Sequence, residues 1–449
     1  MKRYLKYKDS GVEWLGEIPE HWELLKIKYV AKILRGKFTH RPRNDSRMYD
    51  GKYPFIQTGD VTSARKYITE YNQTLNEEGF AVSKQFPIGT LVMTIAANVG
   101  DIAILNIEAC FPDSIVGFVP KHFIELDYIY NLFVSMRQEF LRIAPINTQL
   151  NLNVERIGAL WAVVPRLDEQ KVIARFLDRK LEQINHFITN KQRLIELLKE
   201  QKTAIVNRAV TKGLNPHAPM KPSGIEWLGG IPAHWEIIKL GRQCNVTKLT
   251  GFEYTKLWKT DQNGEIIALR GLNIKNNRLI LDDVERISVE LSNQLRRSKL
   301  FARDIVFPCT GTLGHGALIE QDNKYHINQN IAKITPIEDI NPNFLLYMLC
   351  CSSMQYQINR LNFSGLQPVL LIGTIRNLIL QIPPIVEQNQ IVNWLNTTTA
   401  KIDLAIAKIE KEIKLIQEYR TTLISDAVTG KIDVRETSAV EPTLTAAAI

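Results

Sequence analysis

Cysteine is scarce in this chain, and what there is has no pattern. The 449 residues include five, at Cys110, Cys244, Cys309, Cys350 and Cys351. None forms a C-x-x-C pair and the count is odd, which indicates neither a zinc site nor a disulfide framework. Cys350 and Cys351 close the apolar run "FLLYMLCC" and read as buried thiols. No apolar stretch reaches the about 18 residues that a membrane-spanning helix needs. The opening "MKRYLKYKDSG" has none of the apolar core that a signal peptide carries. A cytoplasmic protein is the expectation.

Catalytic signatures are also missing. There is no H-E-x-x-H and no G-x-S-x-G. The Gly-rich "GTLGHG" (Gly311–Gly316) has neither the order of a dinucleotide fingerprint nor the lysine of a P-loop. "NPNF" (Asn341–Phe344) departs from the N-P-P-F/Y/W of amino-methyltransferases at Asn343, and no F-x-G-x-G strand end accompanies it. It reads better as a helix start, with Asn341 as cap and Pro342 in the first position. Pro112–Asp113 has the form that opens a nuclease P-D…(D/E)-x-K site, but no (D/E)-x-K follows, since Lys121 is preceded by "FVP". The eight histidines are scattered, and His21 and His234, beside Trp22 and Trp235, read as packed structural residues. By itself the chain reads as non-catalytic.

What is present is a repeat. Ser10–Glu23, "SGVEWLGEIPEHWE", returns as "SGIEWLGGIPAHWE" at Ser223–Glu236, and Lys8–Lys26 against Lys221–Lys239 gives 13 identities in 19 positions. Self-similarity of this kind is settled before any fold is assigned. The match continues. "YPFIQTGDVTS" (Tyr53–Ser63) lines up with "IIALRGLNIKN" (Ile266–Asn276), which sets Asp60 opposite Asn273. Gly89–Leu105 lines up with Arg303–Ile319, with Gly100 opposite Gly314, each a β-rich pair around a tight turn. Stretches ending at Pro165 and Pro383 also correspond. One α/β module, at roughly 24–165 and 237–383, is used twice.

After each module the hydrophobic period changes. Ile173, Leu177, Leu181, Ile184, Ile188, Ile195, Leu198, Ile205 and Ala209 fall at gaps of mostly three and four, with Lys191 and Lys202 filling two steps. The second copy runs Ile391, Leu395, Thr399, Ile402, Ile406, Ile409, Ile413, Ile416, Leu423 and Ala427, with Arg420 at one step. A seam kept for about five heptads, free of Pro and Gly, predicts two long helices that coil with a partner, and each copy has the other available. The division expected is a recognition module over 1–167, a helix over 168–212, a linker over 213–222, a second module over 223–385, a second helix over 386–430 and a tail over 431–449. The fold class is mixed α+β: two pseudo-symmetric domains joined by two antiparallel coiled-coil helices, with the two-fold character of a homodimer written into one chain.

These residues taken together resemble the specificity (S) subunit of type I restriction–modification systems. The resemblance rests on the Trp-rich repeat, on P-x-x-x-E-Q before each helix (Pro165–Gln170, Pro383–Gln388), and on the helix endings "AVTKG" and "AVTGKID". It implies that each module is a target recognition domain reading one half of a bipartite site on double-stranded DNA, with the helices as a ruler. It also implies two methyltransferase (M) subunits and two motor-nuclease (R) subunits as partners. S-adenosylmethionine, ATP and Mg²⁺ would belong to those partners, leaving no cofactor in this chain. The repeated Trp-rich stretch would be structural, closing each half near a helix end where an M subunit docks.

The balance of 56 Lys+Arg against 47 Asp+Glu, a net +9, is compatible with nucleic acid without proving it. DNA contact needs cations for phosphates and hydrogen-bonding side chains for base edges. In the first module the polar loop "RGKFTHRPRNDSR" offers Arg35, Lys37, His40, Arg41, Arg43 and Arg47. In the second, "GFEYTKLWKT" offers Tyr254, Lys256 and Lys259, and "RGLNIKNNR" offers Arg270, Asn273, Lys275 and Arg278. Arginine suits guanine and asparagine suits adenine. The modules differ most in these loops, as two readers of different half-sites should. Two other readings stay open. A coiled-coil scaffold that does not bind DNA would lack salt-dependent affinity for duplex. A fused methyltransferase or nuclease with a diverged site would act alone on S-adenosylmethionine or with Mg²⁺.

Overall fold

The computed structural model describes residues 2–96, 98–144, 152–275, 277–311, 313–361 and 368–436; of the expected tail over 431–449, residues 437–449 therefore lie outside the described residues. The two long helices are Leu167–Lys212 and Ile385–Val428, of 46 and 44 residues. Acidic side chains sit in their first turns, Asp168 and Glu169 in one and Glu387 in the other, where they complement the helix dipole. Each helix ends at a glycine in the left-handed region, Gly213 (φ 73°) and Gly430 (φ 77°). Among the described residues no helix is long and apolar enough to cross a membrane.

The chain forms two compact units that do not follow chain order: one takes residues up to Lys191 and from Lys411 on, the other Gln192–Glu410. Each long helix is therefore divided between the units. In the first unit Ile173, Phe176 and Leu177 share a core with Leu423, Ile424, Ala427 and Val428. Further along the same pair, Lys191 meets Glu412 at 2.8 Å. In the second unit Ala209 and Val210 share a core with Ile391, Val392 and Leu395, and Lys202 meets Asp403 at 2.6 Å. Within each unit the helices run antiparallel. The two lysines sit in the seam with their stems partly covered and their charges turned to an acid on the facing helix, as long cationic side chains do.

The globular part of the first unit is a five-stranded sheet, in the order Ala31–Arg35, Ile115–Pro120, Leu91–Thr94, Ile102–Leu105 and Tyr67–Ile68. Only the last pairing is parallel. In the second unit the counterpart is divided. Cys244–Lys248, Ile331–Pro336, Ile305–Pro308 and Ala317–Leu318 form one sheet, and Glu285–Ile287, Ile266–Leu269 and Tyr325–Ile327 form another. The tight turns anticipated in both copies are present, with Gly100 at φ 85° and Gly314 at φ 76°, angles that glycine adopts without a Cβ penalty. Asn341 caps the Pro342–Leu349 helix, its Oδ1 accepting from the N–H groups of Asn343 and Phe344.

The Trp-rich repeat joins the start of one long helix to the end of the other. His21 lies 2.9 Å from Glu169 in the first unit, and His234 lies 2.6 Å from Glu387 in the second. Trp22 and Trp235 are wholly buried. A Cβ on Gly430 would stand 2.4 Å from Pro19 and 3.1 Å from the Trp22 ring, and one on Gly213 would stand 3.4 Å from the Trp235 ring. Glycine ends each helix because the backbone there is left-handed and a Cβ would press first on Pro19 in one unit and on the Glu387 carboxylate, 3.0 Å away, in the other. The following glutamine repeats a second device. Gln170 donates to the carbonyls of Pro165 and Phe123 and accepts from Glu125 N–H, while Gln388 donates to Pro383 and Asp339 and accepts from Asn341 N–H.

The copies differ where the globular part meets the helix. In the first unit the Lys66 ammonium lies 3.0 Å from Asp127 and 2.6 Å from Asp178 of the long helix, against the Tyr67 and Tyr130 rings. In the second unit the matching positions, two after Asn341 and eight after Gln388, are Asn343 and Asn396. These line a cavity of about 520 Å³ together with Arg278 and Tyr347. Lys66→Ala strands two partly covered carboxylates and is expected to cost about 1–3 kcal/mol in urea unfolding, whereas Asn343→Ala is expected to cost under about 0.5 kcal/mol. Equal midpoints for the two variants would show that the ion cluster contributes no net stability.

His326 is buried in the second unit, its ring nitrogens 2.9 Å from the Ile327 carbonyl and 3.2 Å from that of Leu295. Burial holds its pKa below the ordinary 6.5. The unfolded chain therefore binds the proton more readily, so stability is complete above the unfolded value and falls as pH drops below about 6.5. The unfolding midpoint is expected to decline between about pH 7.5 and 5.5, and His326→Gln to flatten that decline.

Candidate nucleic-acid interface

The two candidate regions occupy the same place in the two units. One follows strand Ala31–Arg35, which pairs antiparallel with Ile115–Pro120; the other follows Cys244–Lys248, which pairs antiparallel with Ile331–Pro336. What leaves the strand is different in each.

In the first unit a loop leaves it, anchored by Phe38, which is buried against Phe55 and Tyr49 with ring centroids 5.1 and 5.9 Å away. The loop is thus polar outside but fixed from within. Its basic side chains converge on two acids. His40 and Arg47 both reach Asp45 at 2.8 Å, while Arg43 and, at 3.6 Å, Arg41 reach Asp113. Arg47, then His40, hold the Asp45 carboxyl well below the usual carboxylate range. Arg41 also donates to the carbonyls of Phe38 and His40, and Arg35 to that of Asp113. The acids are the more covered partners, so the loop turns guanidinium groups outward in a held geometry. Lys37 is exposed beside them. Asp113, the aspartate of the apparent nuclease dipeptide, is one of the loop's two counter-charges.

In the second unit Gly251–Leu257 is a helix instead of a loop. Thr250 accepts from Glu253 N–H at 3.2 Å and Glu253 accepts from Thr250 N–H at 2.8 Å, a capping box that "TGFE" spells in the sequence. None of its residues is buried, and Phe252 is 71% exposed. The Tyr254 ring lies tilted beside that of Trp258, centroids 5.7 Å apart, and Lys256 and Lys259 are exposed on the same segment. A short helix that buries nothing is there to be presented. Trp258 in turn rests near the His326 ring, 5.8 Å away.

The third group is split. The Arg270 guanidinium lies 3.0 Å from Asp283 and 3.3 Å from Glu285. Asn273 is completely buried; its Oδ1 accepts from Arg270 N–H, and its amide donates to the carbonyls of Ile280 and Asp283. Asp60 makes the same backward bond to Gln57 N–H in the first unit, at 2.7 Å. The aligned pair Asp60 and Asn273 is therefore a turn-capping position, and an amide spent on backbone has no edge left for adenine. Lys275 and Arg278 face each other across the hairpin Ile274–Lys275/Arg278–Leu279 and are exposed, Arg278 lining the cavity described above.

Comparison with known proteins finds the same repeat, in chain order. The type I restriction modification DNA specificity domain family matches residues 19–198 and 232–415. The chain is 23% identical over 429 residues to the MjaVIII specificity subunit of Methanocaldococcus jannaschii, covering 93% of this chain and 94% of that one. It is also 23% identical over 436 residues to the EcoBI specificity subunit of Escherichia coli, covering 94% and 89%. A solved structure described as the basis of complex assembly and conformational transition of the type I R-M system agrees with a TM-score of 0.70 at 12% identity, over 92% of this chain and 99% of that one. The HsdS subunit from Thermoanaerobacter tengcongensis agrees with a TM-score of 0.53 at 12% identity, over 92% and 98%. Those two likenesses establish the fold. With both repeats matched and the relatives aligned nearly end to end, the chain belongs to the type I restriction–modification DNA specificity family, as a specificity subunit.

Proposed function

We propose that each unit reads one half of a bipartite site on double-stranded DNA, and that the paired helices set the distance between the halves. The observation that carries this is the exchange of elements after equivalent strands: a basic loop in one copy, an exposed aromatic and basic helix in the other. A shared scaffold with different presented elements is what two half-site readers require. Arg35, Lys37, His40, Arg41, Arg43 and Arg47 serve the first half-site. Tyr254, Lys256 and Lys259 serve the second, with Lys275 and Arg278 at its margin. The chain itself is non-catalytic and cytoplasmic. S-adenosylmethionine, ATP and Mg²⁺ act on two methyltransferase and two motor-nuclease subunits bound to it.

The helices also carry the surface that supports methyltransferase docking. With Ile184, Ile188, Lys191 and Ile195 in the seam, Phe187, Leu194 and Leu197 fall on one flank of the first helix, and all three are exposed. On the second helix Trp394, Leu415 and Tyr419 fall on the corresponding flank and are exposed. Phe187, Leu415 and Tyr419 belong to the first unit, Leu194, Leu197 and Trp394 to the second. In each unit this flank is opposite the one bearing Asp178 or Asn396, where the globular part sits. Exposed apolar side chains gathered on one flank mark a partner surface, here for an apolar helix face of a methyltransferase subunit.

Leu415→Glu with Tyr419→Glu changes only the first unit's flank and is expected to halve the amount of methyltransferase that co-purifies, while circular dichroism stays unchanged. An undiminished amount would remove this flank from the interface. The spacing role is tested by inserting four residues into each helix, after Lys191 and before Glu412. That adds about 6 Å and about 40° of rotation, so the seam nearly re-registers. Methylation mapping is expected to return the same half-sites with a spacer longer by about one or two base pairs, at about 34 Å per ten base pairs. An unchanged spacer at full activity would mean that the helices are not the ruler.

A further inference from the structure

The segment "LRRSKL" (Leu295–Leu300) carries two adjacent arginines on a rigid turn beside the exposed helix of the second unit. Arg296–Ser298 is one turn of 3₁₀ helix, and it is pinned from below: Leu295, Ser298 and Leu300 are buried, while Arg296 and Arg297 are exposed. The Thr247 hydroxyl donates to the Arg297 carbonyl at 3.2 Å, and Lys333 donates to that of Lys299 at 2.8 Å. Thr247 lies in the strand that leads into Gly251–Leu257. The Leu295 carbonyl meets His326, whose ring lies against Trp258 just past that helix. The turn is thus tied to both ends of the presented helix. Thr250 first, with the charge of Arg297 adding to the effect, holds the Glu253 carboxyl below its ordinary pKa.

These two arginines also differ in their charge balance. Arg41, Arg43, Arg47 and Arg270 each face an aspartate or glutamate, whereas no ion pair is recorded for Arg296 or Arg297 among the described residues. Two exposed guanidinium groups carried on a buried backbone, with no acid within ion-pair distance among the described residues and only the charge of Glu253 felt by Arg297, are open to an anion from outside. A phosphate oxygen pair fits the planar fork of each. A duplex supplies such phosphates at regular intervals.

We infer that Arg296 and Arg297 clamp the phosphate backbone of the half-site faced by the Gly251–Leu257 helix, seating that helix without reading sequence. This rests on the reading of the second unit as a half-site reader. It adds residues outside every stretch that the repeat alignment singles out, and it separates affinity, carried by the turn, from choice of base, carried by the helix. Lys256 and Phe252 then meet a duplex already held in place.

The test uses the full chain assembled with its methyltransferase subunits and a duplex containing the methylated site. The dissociation constant is measured against NaCl concentration. Arg296→Ala with Arg297→Ala is expected to reduce the slope of log affinity on log salt by about 1.8, two contacts at about 0.9 each. The preference for the intact site over one with a scrambled half-site should be unchanged. Arg296→Lys with Arg297→Lys should restore most of the slope. An unchanged slope in the alanine variant, with the wild type binding normally, overturns the clamp. A reduced slope that lysine fails to restore also overturns it, since charge would not be the cause. If the wild type shows no salt-dependent binding, the DNA-reading function itself fails, and the arginine variants are not what decides it. Unfolding midpoints equal to the wild type's confirm that the variants are folded.

Discussion

At the start of each long helix, an adjacent glutamate and glutamine bind three separate parts of the chain. Glu169 holds His21 of the Trp-rich stretch, and Gln170 holds the strand before the helix together with the cap of the Leu126–Ser135 helix. Glu387 and Gln388 do the same with His234, Pro383 and Asn341. The Gln170 and Gln388 side chains are almost wholly buried. Removing a buried amide that satisfies two carbonyls and an N–H would leave all three unpaired, which costs far more than the bonds contribute net. That asymmetry explains how a 46-residue helix can begin at a defined residue with a defined direction. Everything attached further along inherits it.

Conservative and divergent features are segregated on this frame. The indole under a terminal glycine, the His–Glu pair, the glutamine clamp and the turn cap at Asp60 and Asn273 occur in both units with the same partners. The ion cluster at Lys66, the divided sheet and the presented elements do not. Where one unit closes the gap between globular part and helix with a lysine between two aspartates, the other leaves asparagines around open space. A partly buried ion cluster holds a geometry strictly because misplacing any member exposes an unpaired charge. Beyond the glutamine clamp that both share, the two heads meet their helices through different chemistry.

Much of this was legible from residue order. A seam at alternating gaps of three and four is a physical requirement of a coiled pair, so Ile173 to Ala209 and Ile391 to Ala427 announced themselves. So did the glycine turns at Gly100 and Gly314. The helix at Gly251–Leu257 was missed although its capping box was written in "TGFE", because it buries nothing and has no apolar period to detect. From sequence Asn273 is a candidate DNA contact, because an asparagine in a polar segment looks the same whether its amide faces solvent or backbone; its alignment with Asp60 is the available clue. The exposed flank with Phe187 and Tyr419 could not be separated from the seam by composition, since both lie within one broad apolar face. Arg296 and Arg297 look like any solvated pair until the buried Leu295 and Ser298 show that their backbone cannot move away.

The division of the chain into units also sets an order of events during synthesis. The second unit is one continuous stretch, Gln192–Glu410, whereas the first needs residues from Lys411 onward to be complete. A ribosome delivers the N-terminal end first. The earliest globular part to emerge therefore waits longest, with Leu15, Ile18, Trp22 and Leu177 lacking the Leu423, Ala427 and Val428 that complete their core. The second unit can close on itself before those residues have been made. A nascent chain stalled in the last helix would hold one finished head and one with an open apolar trough, the form a chaperone holds and an aggregate recruits.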